Sequence, residues 1–346
     1  MPNFYLKGAG RDLEQLADRA ARLQRLGLPI RLELHTFGAS DVDTAGERAR
    51  VQSNLRRLRE KFGPLELLIH VPLQKVPVVT RMNYDSEQVS QSLALAQDLQ
   101  AHAVVMHRYW GLTLGDASPR CSRDEAIAGF NATVIELSRE AGAITLLVEN
   151  VGHYSLLPRD GHHYLCGPLD HFFPWEIAEF HSFLEANGLH NVAVLIDVAH
   201  ATLSTNMFNI RRRLPSIRTD PRFRWILEED LARARALHPF DFMDPRIRYL
   251  HVSDSCLLSE AELCAPRLPA EVLTAAICTE GLEVGRGNLP WRQLPIHVPH
   301  SASIVLEVDP GTGETHSKNG AQERSLVALQ NLFREPQAPE NANANR

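Results

Sequence analysis

Residues 144–149 read ITLLVE, a short β-branched and leucine run closed by a carboxylate. A continuous apolar run of this length is what a strand buried on both faces looks like, and a polar group at its end marks where the strand leaves the core. The same form recurs as LELLIH at 65–70, AVVMH at 103–107, VAVLID at 192–197, RIRYLH at 246–251 and SIVLE at 303–307. His70, His107, Glu149, Asp197, His251 and Glu307 therefore each close a strand. In a barrel of parallel strands those ends converge on one mouth.

Working outward, two further strands fit near 3–7 and 30–35, and helix-length segments separate the runs: 11–27, 44–61, 85–101, 123–141, 174–187, 226–238 and 320–333. Several of these stop at glycine, as at Gly27, Gly142 and Gly188, the residue suited to a left-handed helix cap. Eight strands alternating with helices predict an α/β fold, a (β/α)8 TIM barrel with its site at the C-terminal strand ends. A doubly wound open sheet would want a glycine-rich phosphate turn after the first strand, where FYLKGAGRDL offers Gly8 and Gly10.

The 346 residues suit a single domain over 1–334 with extended loops at the C-terminal face. The tail from 335, EPQAPENANANR, carries no bulky apolar residue and is read as disordered. The net charge of −6 argues against a dedicated nucleic-acid binder, and the basic run Arg211–Arg213 is read as a solvated face. Five scattered cysteines without a CxxC pair suit reduced thiols. The opening MPNFYLKG has no apolar signal core, and no stretch of eighteen apolar residues occurs. A cytoplasmic protein off the membrane is expected.

Two segments exceed ordinary barrel loops, 151–173 and about 201–225, and both are expected to cover the mouth. The first holds four histidines and two tyrosines. Trp110 follows His107 on the same side, whereas Trp175 is read as packing.

A lone histidine at a strand end, such as His70 or His107, is more often a hydrogen-bonded structural residue than a ligand. Glu149 and Asp197 are harder to place that way, because an ionised carboxylate at the end of an apolar strand is costly without a cation or hydrogen bonds to compensate it. With His251 and Glu307 they form an oxygen-rich set suited to one divalent metal: Mn, Co, Mg, Fe or Zn.

The ordered motifs LLVEN at 146–150, LIDVAH at 195–200, YLHVSDS at 249–255, VGRGNLPW at 284–291 and IVLEV at 304–308 resemble the xylose-isomerase-like TIM barrels, the superfamily of sugar isomerases, epimerases and apurinic endonucleases. The resemblance runs from His70 to Glu307. It implies a metal held by Glu149, Asp197, His251 and Glu307, with Glu149 and Glu307 also acting as acid and base and His200 contacting substrate near its carbonyl. Substrate contacts are expected from His70, His107, His153, Asp254 and Trp110, and the partner is a small molecule. A homo-oligomer is the other association left open.

The endonuclease branch of the family would place a second metal on His70, His107 and Glu149, all present here. Its third metal would need an Asp-x-His pair before the Gly-x-Gly turn, where this chain has Thr279 and Gly281. That departure favours an isomerase or epimerase over a phosphodiesterase. Leu73 also replaces the usual aromatic after strand three.

Overall fold

Eight parallel strands form where the apolar runs lie: β1 Asn3–Ala9, β2 Arg31–His35, β3 Glu66–His70, β4 Ala103–His107, β5 Thr145–Glu149, β6 Val192–Asp197, β7 Tyr249–Val252 and β8 Ser303–Leu306. Each pairs with its sequence neighbours, and β8 pairs with β1, so the sheet closes. Closure excludes the doubly wound sheet. The structure is a computed structural model that describes residues 1–36, 42, 44–72, 86–108, 113–114, 121–152, 165–169 and 171–335. Leu73, Trp110, His153 and the tail 336–346 lie outside the described residues.

The longer helices among the described residues are α1 Leu13–Arg25, α2 Ala45–Phe62, α3 Ser86–Leu99, α4 Arg123–Ala141, α5 Pro174–Ala186, α6 Val198–Arg213, α7 Ala270–Cys278 and α8 Gly320–Arg334. The starts of α1, α2, α4, α6 and α8 carry side-chain acceptors for the free N–H groups of the first turn. Asp12 caps α1 through Gln15 N at 3.0 Å, and Ser122 with Glu125 forms a capping box on α4. On α1 the buried positions Leu16, Ala20 and Leu23 repeat at helical spacing and face the barrel.

Strand alternation divides the core. Leu32, Leu34, Leu67, Ile69, Val104, Met106, Leu146, Val148, Ile196, Leu250, Ile304 and Leu306 point outward and pack under the helices. Tyr5, Leu68, Ala103, Val105, Leu147, Leu195 and Val305 fill the barrel interior as a separate apolar plug. Fully burying one such side chain is worth about 1.5–3 kcal/mol, so this plug is a rigid floor. The site stands on it.

The structure corrects two expectations. Segment 201–225 is not a mouth loop, because its first half belongs to α6, and the rest makes two short 3-10 turns at Pro215–Ile217 and Pro221–Phe223. The helix expected over 226–238 is only the six-residue turn Glu228–Arg233. Within the other long segment, Leu165–Cys166 pairs antiparallel with Thr113–Leu114. The arginine run, expected as a solvated face, is partly buried at the end of α6, with Arg211 2.8 Å from Glu228 and Arg213 paired to Glu260. No helix of the described residues is long and apolar enough to cross a membrane.

Candidate metal centre

The register that stacks the apolar plug also aims the next inward position of every strand at the mouth. Leu147 is followed inward by Glu149, Leu195 by Asp197, Leu68 by His70, Val105 by His107 and Val305 by Glu307, with His251 level with Asp197 on β6. On β1 and β2 the same alternation delivers Lys7, Glu33 and His35. Sequence reading missed these three. The signal was the period-two continuation of Tyr5 to Lys7 on β1, with Glu33 paired in register to Lys7 and His35 to His70.

Glu149 is the hub. Its Oε1 lies 2.9 Å from His251 Nδ1, and its Oε2 lies 3.2 Å from His70 Nε2 and 3.3 Å from His107 Nε2. Glu307 Oε2 meets the same His251 Nδ1 at 2.8 Å. His251 and Glu149 are fully buried, whereas the Glu307 side chain is 33% exposed, which makes Glu307 the member that an incoming molecule reaches first.

The electrostatics follow from this crowding. Burial lowers the basicity of His251, but the carboxylates of Glu33, Glu149 and Glu307 outweigh it and hold the imidazole well above its ordinary range. Burial raises Glu149, yet His251 and His107 pull it well below the usual carboxylate value. Glu307 is likewise raised by burial and lowered further by Lys7 and His251. Asp197 is pushed up to about 6, first by burial and then by Glu307 and Glu149, with His200 opposing. His107, buried, is lowered.

Among the described residues, two sets of potential ligand atoms lie within 4.8 Å of one another: His70, Glu149, His251 and Glu307, and Glu149, Asp197 and His200. Imidazole nitrogens with carboxylate oxygens form a donor set that suits a divalent cation, and Glu149 belongs to both. The residues therefore fit the metal that the motifs imply, with two differences from the expected set. Asp197 groups with His200 instead of with His251 and Glu307, and His70 joins the ligands. His107 contacts Glu149 but belongs to neither set.

Asp197 is held by its surroundings as well as by β6. Its N–H donates to Asn150 Oδ1 at 2.7 Å, and Asn150 Nδ2 returns a bond to the Asp197 carbonyl at 3.1 Å. The Asp197 carboxylate also caps α6, accepting from His200 N at 2.7 Å. His200 therefore lies in the first turn of α6, which faces the site. Its ring bonds Asn150 O at 2.8 Å through Nδ1 and Glu280 Oε2 at 2.9 Å through Nε2. Burial lowers His200, but Asp197 and Glu280 raise it to about 10. Glu280 is a site residue that the sequence reading passed over while weighing its neighbours, Thr279 and Gly281.

Asp254, expected to contact substrate, anchors a loop. Fully buried, its carboxylate accepts from Ser255 N, Gly285 N, Leu289 N and Trp291 Nε1 at 2.9, 2.7, 3.3 and 2.9 Å. It fixes the loop that carries Glu280 over His200. Trp175 packs as expected, stacked on Phe173 at 4.9 Å.

No family model matches the chain, and no curated protein matches it. Solved structures do. A xylose isomerase domain protein from Alicyclobacillus acidocaldarius is similar over 96% of this chain and 98% of its own, at 15% identity and a TM-score of 0.51. The crystal structure of AsfvAP:AG matches over 96% and 99%, at 12% identity and a TM-score of 0.55. A D-allulose 3-epimerase from Methylomonas sp. matches over 95% and 98%, at 12% identity and a TM-score of 0.51. The motifs and the closed barrel agree with these likenesses at the level of architecture: the chain has the fold of the xylose-isomerase-like TIM barrels.

Proposed function

We propose that the protein is a divalent-metal-dependent isomerase or epimerase acting on a sugar or sugar-like α-hydroxy-carbonyl substrate. The observation that carries this reading is the convergence of Glu149 Oε1 and Glu307 Oε2 on His251 Nδ1, at 2.9 and 2.8 Å. Moving a proton next to a carbonyl takes one carboxylate to remove it and a second group to return it. Glu149, buried and low in pKa, stays ionised as a base, and Glu307 faces it from the open side. His70, Glu149, His251 and Glu307 would hold a cation, whose chemistry would be to stabilise the charge developing on the substrate oxygens. His200, raised to about 10, stands beside this centre and would reach a substrate oxygen through Nε2 on exchange for Glu280 Oε2.

A second reading rests on His70 and His107, whose Nε2 atoms both approach Glu149 Oε2, as a second cation would require for hydrolytic chemistry. The third-metal arrangement is disfavoured: Glu280 occupies His200 Nε2, and the expected ligand positions hold Thr279, whose carbonyl accepts from Ser255 Oγ, and Gly281. Incubation of metal-loaded protein with a panel of ketoses and aldoses in deuterium oxide separates the readings. Deuterium at the carbon next to the carbonyl supports proton transfer. Cleavage of a chromogenic phosphodiester with no deuterium uptake supports the second reading instead.

A further inference from the structure

We propose that Glu33 and Lys7, on β2 and β1, form a positioning pair that sets which nitrogen of His251 and which oxygen of Glu307 face the metal. The inference rests on the metal-centre reading of the same site and goes beyond its ligands. His251 Nε2 lies 2.8 Å from Glu33 Oε2, while Nδ1 points to Glu149 and Glu307. A metal-binding histidine commonly donates its other ring N–H to a carboxylate, which fixes tautomer and ring orientation. Glu33 supplies that carboxylate. It is fully buried.

Lys7 ties the arrangement to the end of the neighbouring strand β8. Its Nζ pairs with Glu307 Oε1 and reaches Glu33 Oε1 at 3.7 Å. With Oε1 held by the ammonium, Glu307 presents Oε2 to the centre and acts as a ligand through one oxygen. The Lys7 and Glu33 backbones are register partners across β1 and β2, so adjacent strands set the pair. Charge also balances locally, because the buried Glu33 carboxylate lies between the Lys7 ammonium and the His251 ring.

The test measures metal affinity by competition with a chromophoric chelator, together with the visible absorption of the Co²⁺-loaded protein, for wild type, Glu33→Ala, Glu33→Gln and Lys7→Met. Thermal unfolding in chelator checks that each variant folds. Glu33→Ala is expected to weaken metal binding about 10–100-fold and to change the Co²⁺ spectrum. Glu33→Gln, whose amide oxygen can still accept the Nε2 proton, should recover most of the loss. Lys7→Met should alter the spectrum by freeing Glu307 Oε1. Wild-type affinity and spectrum in folded Glu33→Ala would overturn the proposal, as would equal losses in the alanine and glutamine variants. If wild type binds no metal, the site reading and the positioning pair fall together. If it binds metal but catalyses no proton exchange, only the isomerase reading falls.

Discussion

Asp197 and His200 are joined through the first turn of α6: the Asp197 carboxylate accepts the His200 N–H at 2.7 Å, and the His200 ring lies 3.9 Å from the same oxygen. One residue thereby caps a helix, closes a strand and contributes to the metal-competent cluster. The neighbouring loop enforces the arrangement. Gly152 has φ of +66°, and a Cβ there would stand 3.0 Å from His200 Cα. Gly152→Ala should therefore cost about 1–3 kcal/mol and shift His200, read as a lower urea midpoint and a changed His200 imidazole NMR signal.

Glu280 is expected to act through His200. Glu280→Gln keeps a hydrogen-bond acceptor but removes the charge that helps raise His200 to about 10. The His200 titration followed by NMR should move down, while metal affinity changes less than in Glu149→Gln. An unmoved titration would separate Glu280 from the site.

The apolar plug beneath the site is a stability element. Leu68 is fully buried inside the barrel, so Leu68→Ala should cost about 2–5 kcal/mol in denaturant unfolding. A loss below 1 kcal/mol would mean that the barrel interior collapses onto the space.

His171 sets an acid limit on the fold. It is buried against Phe173 at 5.1 Å, and burial, with Arg123 nearby, lowers its pKa to about 3. Its Nδ1 has no hydrogen-bond partner among the described residues. The unfolded chain takes up this proton near pH 6.5, and the folded chain only near 3. Stability from this residue is therefore full above about pH 6.5 and is lost as pH falls through that window, by about 1.4 kcal/mol per unit. His171→Asn should unfold with a shallower pH dependence between pH 6.5 and 4 than wild type.

The barrel was legible because six of its strands lie in runs of apolar residues closed by a polar one, and burial on both faces leaves that pattern in the sequence. Six of the inward residues were visible for the same reason. Lys7 and Glu33 were not, because they sit inside their strands instead of at the ends, where the stagger of the barrel brings them level with the site. The helix α6 was hidden because Val198–Ile210 is buried on every face, which removes the 3.6-residue alternation that marks a surface helix. Glu280 was unreadable for another reason: a loop position gains meaning only from the Asp254 bonds that fold the loop over His200.

Metal content per chain, measured by elemental analysis on protein purified without chelator or tag-derived metal, tests the central claim most directly. The account predicts bound Mn, Co, Mg, Fe or Zn at no less than one per chain, lost in Glu149→Gln because that residue belongs to both ligand sets. With His107→Ala, retention of one ion supports the isomerase or epimerase reading, and a fall from two to one supports the dinuclear alternative. A folded wild-type chain that neither carries nor takes up a divalent ion would contradict the account.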